Sequence, residues 1–174
     1  MLGKDYANQD CSLARALEVV GERWTLLILR DAFYGVRTFG DFATHLDVPR
    51  AVLAERLRHL VDAGLLERRA DPDRAGREFY ALTRSGRELW PALHALTRWG
   101  GRFSAHRREP RRFLHAACAT RLDERGTCPR CGATPDAEDV VTIAAAGEPA
   151  REDPVSAALQ APHHLLEPLT VDRT

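Results

Sequence analysis

Apolar residues recur at helical spacing through the first hundred positions and then give way to a stretch punctuated by glycine, proline and cysteine. Leu13, Ala16, Leu17 and Val20 repeat at helical intervals and stop at Gly21, which predicts a short amphipathic helix. In the run that follows, Trp24, Leu26, Leu27, Ile28 and Leu29 are nearly consecutive. A helix this apolar on every side belongs at the centre of a core, and Gly35 closes it. Val36 to Thr38 reads as a short strand, with Thr38 capping a helix that starts at Phe39. Phe39, Phe42, Ala43 and Leu46, then Leu53, Leu57, Leu60 and Val61, predict two helices joined by a tight turn. Asp47 is the expected N-cap of the second helix, Pro49 lies near its first position, and Gly64 is its left-handed stop. Two strands fit LLERRA and REFYALT, on either side of the turn-rich segment 71–76. Helix, turn, helix, hairpin is the order of a winged helix, so the expected fold is mainly α with a small β wing.

With Leu53, Leu57 and Leu60 facing inward, that second helix leaves Arg50, Ala51, Ala54, Glu55, Arg58, His59 and Asp62 outside. Small and basic residues at its N-terminal end suit entry into the major groove of double-stranded DNA. Ala51 and Ala54 let the backbone approach base edges, while Arg50 and Arg58 can reach guanine edges or phosphates. Arg56 and His59 complete the candidate DNA-binding residues of the helix. Arg68, Arg69, Arg74 and Arg77 lie in the hairpin, with Arg74 and Arg77 as the candidate phosphate contacts. The plainer alternative is a helical hairpin with a solvated charged face. Charge does not decide between them, because residues 50–77 carry seven Arg against five Asp or Glu, a net +2. The ordered combination of turn, helix stop and Arg-bearing hairpin favours DNA.

The run from Cys11 to about Phe103 resembles the HxlR-type winged-helix transcription regulators, relatives of the MarR group. The resemblance is carried by Cys11 ahead of ALEVVGERWTLLILRDAF, then RTFGDFATHL, VLAERLRHLVDAGLLERR and FYALTRSGREL. The sequence departs from the family at Ser12, where Pro is usual, at Glu22-Arg23, where Gly-Lys is common, and at Ala75-Gly76, where the wing turn is usually proline-rich. The resemblance implies a homodimeric, sequence-specific DNA-binding transcriptional regulator, expected to repress. It also implies that a cysteine placed like Cys11 can sense electrophiles or oxidants, so the candidate effectors are a small molecule or an electrophile.

Two features bear on assembly and sensing. Leu89, Leu93, Leu96 and Trp99, or Trp90, Leu93, Thr97 and Gly100, repeat at helical spacing after the wing, with Pro91 early enough to be tolerated. One winged helix does not need that many apolar residues, and the surplus predicts a dimer seam. Cys11 is either a small inert residue at a helix start or a thiol acidified by the helix N-terminus, with Arg15 one turn away. His94 and His106 read as surface residues.

Beyond a charged linker broken by Pro110 come His115-Ala-Ala-Cys118, nine residues, and Cys128-Pro-Arg-Cys131-Gly132. Cys-Pro-x-Cys-Gly is the tight turn of a zinc ribbon, and a His-x2-Cys pair supplies two more ligands. The expected ligands of a structural zinc ion are therefore His115, Cys118, Cys128 and Cys131. A thioredoxin-like dithiol and unbound thiols are the competing readings. Against the dithiol, Cys128 does not end a strand that opens a helix, and a redox pair needs neither His115 nor Cys118. So small a unit cannot hold itself by burial alone, so the metal would carry the folding of a core separate from that of the winged helix. Val140 to Ala145 is one expected strand and Val155 to Gln160 one or two helical turns. Five prolines (Pro135, Pro149, Pro154, Pro162, Pro168) among small and acidic residues predict a flexible tail, with His163 and His164 as tail residues rather than ligands.

The expected division is a DNA-binding and dimerisation domain over 1–108, a zinc-ribbon-like appendage over 109–147 and a flexible tail over 148–174. The net charge of zero divides unevenly along it. Residues 1–108 hold 18 Lys or Arg against 14 Asp or Glu, +4, and residues 109–174 hold 7 against 11, −4. A mildly basic first part fits a DNA binder. No apolar run approaches the roughly 18 residues that span a bilayer, and the start lacks a signal-peptide core, so a cytoplasmic protein without membrane contact is expected. No nucleophile–base pair or phosphate-binding glycine loop points to catalysis. The rivals to a regulator are a protein-interaction adapter on the same frame and a dithiol oxidoreductase using Cys128 and Cys131.

Overall fold

In the computed structural model, which describes residues 6–71, 75–103, 110–145 and 151–172, the second helix forms the centre of the core. Helix α1 (Ser12–Val20) precedes α2 (Thr25–Phe33), where Ile28, Leu29 and Phe33 are buried. Burial is not uniform around α2: Leu27 is 40% exposed, so one side of this helix faces outward. Helices α3 (Phe39–Leu46) and α4 (Arg50–Asp62) pack on α2 through Phe42, Leu46, Leu53, Leu57 and Leu60.

The helix boundaries follow local chemistry. Thr38 Oγ1 accepts from the Asp41 N–H at 3.2 Å and starts α3 as expected. Asp47 does not cap α4. It adopts a left-handed φ of 51° and ends α3, its N–H donating to the Ala43 carbonyl, while Pro49 occupies the N-cap of α4 with no side-chain cap bond. Aspartate tolerates that conformation better than most residues. Gly64, at φ 69°, stops α4 as the sequence predicts. The wing is β1 (Leu66–Ala70) paired antiparallel with β2 (Glu78–Leu82). The expected strand at 36–38 is reduced to one backbone bond, Tyr80 N–H to the Arg37 carbonyl.

A short turn of helix, α5 (Arg84–Arg87), leads into α6 (Trp90–Phe103). Strands β3 (Arg111–His115), β4 (Thr120–Arg121), β5 (Val140–Ala144) and β6 (His163–His164) form an antiparallel sheet ordered β4-β3-β5-β6, with α7 (Pro154–Ala158) between the last two in sequence. Phe113 of β3 lies at ring distances of 5.0 Å from Trp90 and 5.6 Å from His94. His94 is therefore buried against two aromatic rings and is not a surface residue.

Two expectations are corrected here. Residues 151–172 are not a loose tail: Asp153 caps α7 by accepting from Ser156 N–H at 2.9 Å, and Val155, Leu159 and Leu165 are buried. Nor do winged helix and appendage have separate cores, since Phe113, Leu122, Val140, Val155 and Leu165 belong to the same buried cluster as Ile28 and Leu57. The tail is stitched to the end of α2 by backbone bonds, Leu166 N–H to the Phe33 carbonyl at 2.8 Å and Leu169 N–H to the Gly35 carbonyl at 3.0 Å.

Gly35 is required twice over. Its φ is 81°, and a Cβ there would stand 1.8 Å from the Glu167 carbonyl oxygen of the tail. Gly64 is also left-handed but has open space around it. Gly64→Ala should therefore cost only the backbone penalty, about 1–2 kcal/mol. Gly35→Ala should cost clearly more, because the tail must also move. Urea midpoints of the two variants against the parent measure the difference, and equal losses would mean that the tail contact contributes nothing.

Candidate nucleic-acid interface and metal centre

The two sides of α4 differ sharply. Leu53, Leu57 and Leu60 are fully buried, whereas Arg50, Ala51, Ala54, Glu55 and Arg58 are exposed in a row that begins at the start of the helix. The Arg50 guanidinium lies 4.7 Å from the Phe39 ring centroid, which holds this cation over the junction of α3 and α4. Wing residue Arg77 is exposed, and Arg74 lies outside the described residues. Arg68 and Arg69 face Glu78 and Glu67 at 3.6 and 2.5 Å, so part of the wing's charge is balanced locally.

Two residues of the predicted set are turned back onto the protein. Arg56 pairs with Glu22 of the α1–α2 connection at 3.2 Å, and His59 Nε2 lies 3.0 Å from the Val19 carbonyl oxygen. Both tie α4 to the end of α1. Glu22 had no signal in the sequence, because it meets Arg56 across two elements rather than at a helical interval.

The second constellation lies in the appendage. His115 ends β3, Cys118 follows in the tight turn before β4, and Cys128 and Cys131 bracket a second turn. The residue after each pair is left-handed, Ala119 at φ 49° and Gly132 at φ 74°, so the two pairs make similar returns. Their ligand atoms all lie within 4.8 Å of one another. His115 Nδ1 is 3.4 Å from Cys118 Sγ and 3.3 Å from Cys131 Sγ, and Cys118 Sγ is 3.4 Å from Cys128 Sγ. A tetrahedral ion with bonds of about 2.0–2.3 Å needs ligand atoms about 3.5–3.8 Å apart, a spacing that lies between the short contacts and the 4.8 Å limit of this group.

The electrostatics suit a thiolate set. Burial pushes the Cys128 thiol up, but the N–H groups of Cys131 and Arg130, with His115 and Cys118, bring it down to about 6. For Cys131, the Ala133 N–H acts downward but is outweighed by the hydrogen bond its S–H donates to the Cys128 sulfur, by burial and by the neighbouring sulfur charges, so its thiol is raised. Adjacent thiols that cannot all ionise alone are brought to the thiolate state by a cation. Asp123 orders the preceding loop by accepting from the Arg125 and Thr127 N–H groups, both at 2.8 Å.

Cys11 stands apart, exposed at the N-cap of α1. Arg15 is not directed at it: its guanidinium bonds Glu18 at 2.8 Å and the Gln9 and Tyr6 carbonyls of the arm. Exposed large apolar side chains stand on three helices: Leu13 (65% exposed) and Leu17 of α1, Leu27 of α2, and Leu96, Trp99 (64%) and Phe103 of α6. No helix among the described residues is long and apolar enough to cross a membrane.

The HxlR-like helix-turn-helix family model matches residues 19–108. The HTH-type transcriptional regulator Rv3095 of Mycobacterium tuberculosis is 46% identical over 125 residues, covering 70% of this chain and 77% of that protein. An HTH-type transcriptional regulator of Methanothermobacter thermautotrophicus is 30% identical over 97 residues, covering 55% of this chain and 74% of its own. The crystal structure of PA1607, a candidate transcription factor, superposes with a TM-score of 0.63 at 30% identity, covering 85% of this chain and 99% of that one. That coverage is more than residues up to 108 can supply, so the likeness extends into the appendage. The chain belongs to the HxlR-like helix-turn-helix family and is a transcriptional regulator rather than an enzyme.

Proposed function

We propose that this regulator is a cytoplasmic homodimeric repressor. Each protomer inserts α4 into one of two successive major grooves of double-stranded DNA and lays its wing on flanking phosphates. The observation that carries the reading is the division of α4 into a fully buried leucine side and an exposed row of small and basic residues starting at Arg50. Arg50 and Arg58 are the base-reading candidates, Ala51 and Ala54 admit the backbone to the groove, and Arg77 and Arg74 serve the phosphates. Arg56 and His59 support α4 from behind, given their bonds to Glu22 and Val19. Repression as the direction of control follows the family resemblance.

The exposed apolar side chains on α1, α2 and α6 support pairing of two copies, because a monomer gains nothing from exposing Trp99 and Phe103 side by side at 6.1 Å. In the appendage, the reading is a structural zinc ion held by His115, Cys118, Cys128 and Cys131, favoured by a mixed sulfur and nitrogen ligand set. Such an ion supplies fixed cross-links between two turns and no chemistry of its own. Cys11 is the candidate thiol for an electrophile signal, being exposed and outside that group.

Arg50→Ala and Arg58→Ala should each weaken binding to a footprinted operator by about 1–3 kcal/mol, roughly five- to a hundred-and-fiftyfold. Arg77→Ala should weaken all sequences alike and reduce the salt slope by about one. Titrations at several salt concentrations separate the two behaviours. If both α4 variants bind as tightly as the parent, α4 is not the reading element.

Protein purified under reducing conditions without chelator should contain about one zinc per chain, and Cys128→Ser should lose most of it. Elemental analysis decides this, and parent protein without zinc would overturn the ligand assignment.

A further inference from the structure

Where the winged helix meets the appendage, a cavity of about 440 Å3 opens between α2, α6, β3, β5 and α7. Its walls are largely apolar, with Leu26 from α2, Leu93 from α6, Phe113 from β3 and Leu159 beyond α7. Its polar lining is one-sided: Arg30, Arg98, Arg111 and Arg151 line it, and no Asp or Glu does so among the described residues. Arg30, Arg98 and Arg151 all have partners. Arg30 bonds Asp31 at 2.6 Å, and Arg151 donates to the His45 carbonyl at 2.7 Å and lies 3.7 Å from Asp153.

Arg111 differs from them. Its Nε donates to Thr142 Oγ1 at 2.9 Å and its guanidinium stacks 5.4 Å from the Tyr34 ring centroid, which fixes the side chain in place. Its Nη2 is buried and has no hydrogen-bond partner. Burial lowers its pKa and the nearby Arg30 charge acts the same way, while Tyr34 opposes them. Arginine nevertheless keeps its proton in proteins. A partly buried guanidinium with an unmet donor is costly, and an anion beside the group offsets that cost.

We propose that this cavity binds an apolar carboxylate, its carboxylate group beside the Arg111 guanidinium and its hydrocarbon body against Leu26, Leu93, Phe113 and Leu159. Guanidinium groups among apolar walls suit an amphipathic anion. A phosphate dianion would leave the apolar walls without a counterpart, and Arg30 already turns two of its nitrogens to Asp31. The rim carries Leu27 and Leu96, which are also among the exposed apolar side chains, so an occupant alters the surface on which two copies would meet. That consequence rests on the proposed homodimeric regulator and gives it an effector class; the binding itself does not depend on DNA.

Calorimetric titration of the full-length, DNA-free protein tests the site, with decanoate and 2-naphthoate as probes and the corresponding neutral amides as controls. At least one acid should bind once per chain and about tenfold or more tighter than its amide. Which acid binds separates an aliphatic from an aryl ligand. Arg111→Gln should lose that preference and Arg111→Lys should keep part of it. Ala144→Phe, at the position opposite Arg111 in the β3–β5 ladder, fills the cavity and should abolish binding of acid and amide alike. The proposal is overturned if neither acid binds the parent, if the amides bind as well as the acids, or if Arg111→Gln binds the acid like the parent. Should Arg111→Gln fail to fold, the acid-to-amide ratio on the parent and the Ala144→Phe result still decide. Operator binding measured without any probe is a separate reading, so failure of one is distinguishable from failure of the other.

Discussion

Phe113, on the first strand after the winged helix, lies edge-on to Trp90 at 5.0 Å and to His94 at 5.6 Å, and stacks with Tyr34 at 6.5 Å. Trp90 in turn meets Phe33 at 5.5 Å, so a chain of aromatic contacts runs from the sheet of the appendage into the central helix of the DNA-binding half. Each such pair contributes about 0.5–1.5 kcal/mol beyond area burial, and removing a buried Phe typically costs about 3–5 kcal/mol. Against the few kcal/mol that separate folded from unfolded domains, that is enough to couple the two halves.

The remaining architecture depends on this junction. Strand β3, which carries Phe113, also carries His115 at its end, so the His115 and cysteine group and the aromatic contacts are placed by one strand. The tail closes the arrangement from the other side: Leu165 bonds Val140 of β5, and Leu166 bonds Phe33 at the end of α2. A metal at the four ligands would thus steady more than a small ribbon. It would hold one wall of the core that supports α2, and through α2 the buried leucines of α4. The exposed side of α4 is only as well positioned as that buried side.

The helical frame could be read from the sequence because its signals are local. The 3.6-residue repeat placed α3 and α4, Thr38 marked its cap, Gly64 marked its stop, and two short spacings brought together His115, Cys118, Cys128 and Cys131. What the sequence hid depends on pairings between distant segments. Arg37 reaches the Leu166 carbonyl across 129 positions, and no periodicity encodes such a contact. The density of proline and small residues after 148 read as looseness, although Asp153-Pro154 is a regular helix start with an N-cap followed by a proline. His94 looked exposed because its neighbours, Trp90 on its own helix and Phe113 beyond the linker, become a pocket only after folding. Arg56 and His59 count among the candidate DNA-binding residues in the sequence, yet their partners Glu22 and Val19 lie outside α4.

The account stands on a single core shared by the winged helix and the appendage, and native-state hydrogen exchange on Phe113→Ala examines it directly. Amides of Leu29 in α2 and of Val141 in β5 should lose the same protection, by about 3–5 kcal/mol, because both open in one cooperative event. Loss of protection at Val141 with Leu29 unchanged would contradict the account and leave the appendage as an independent unit.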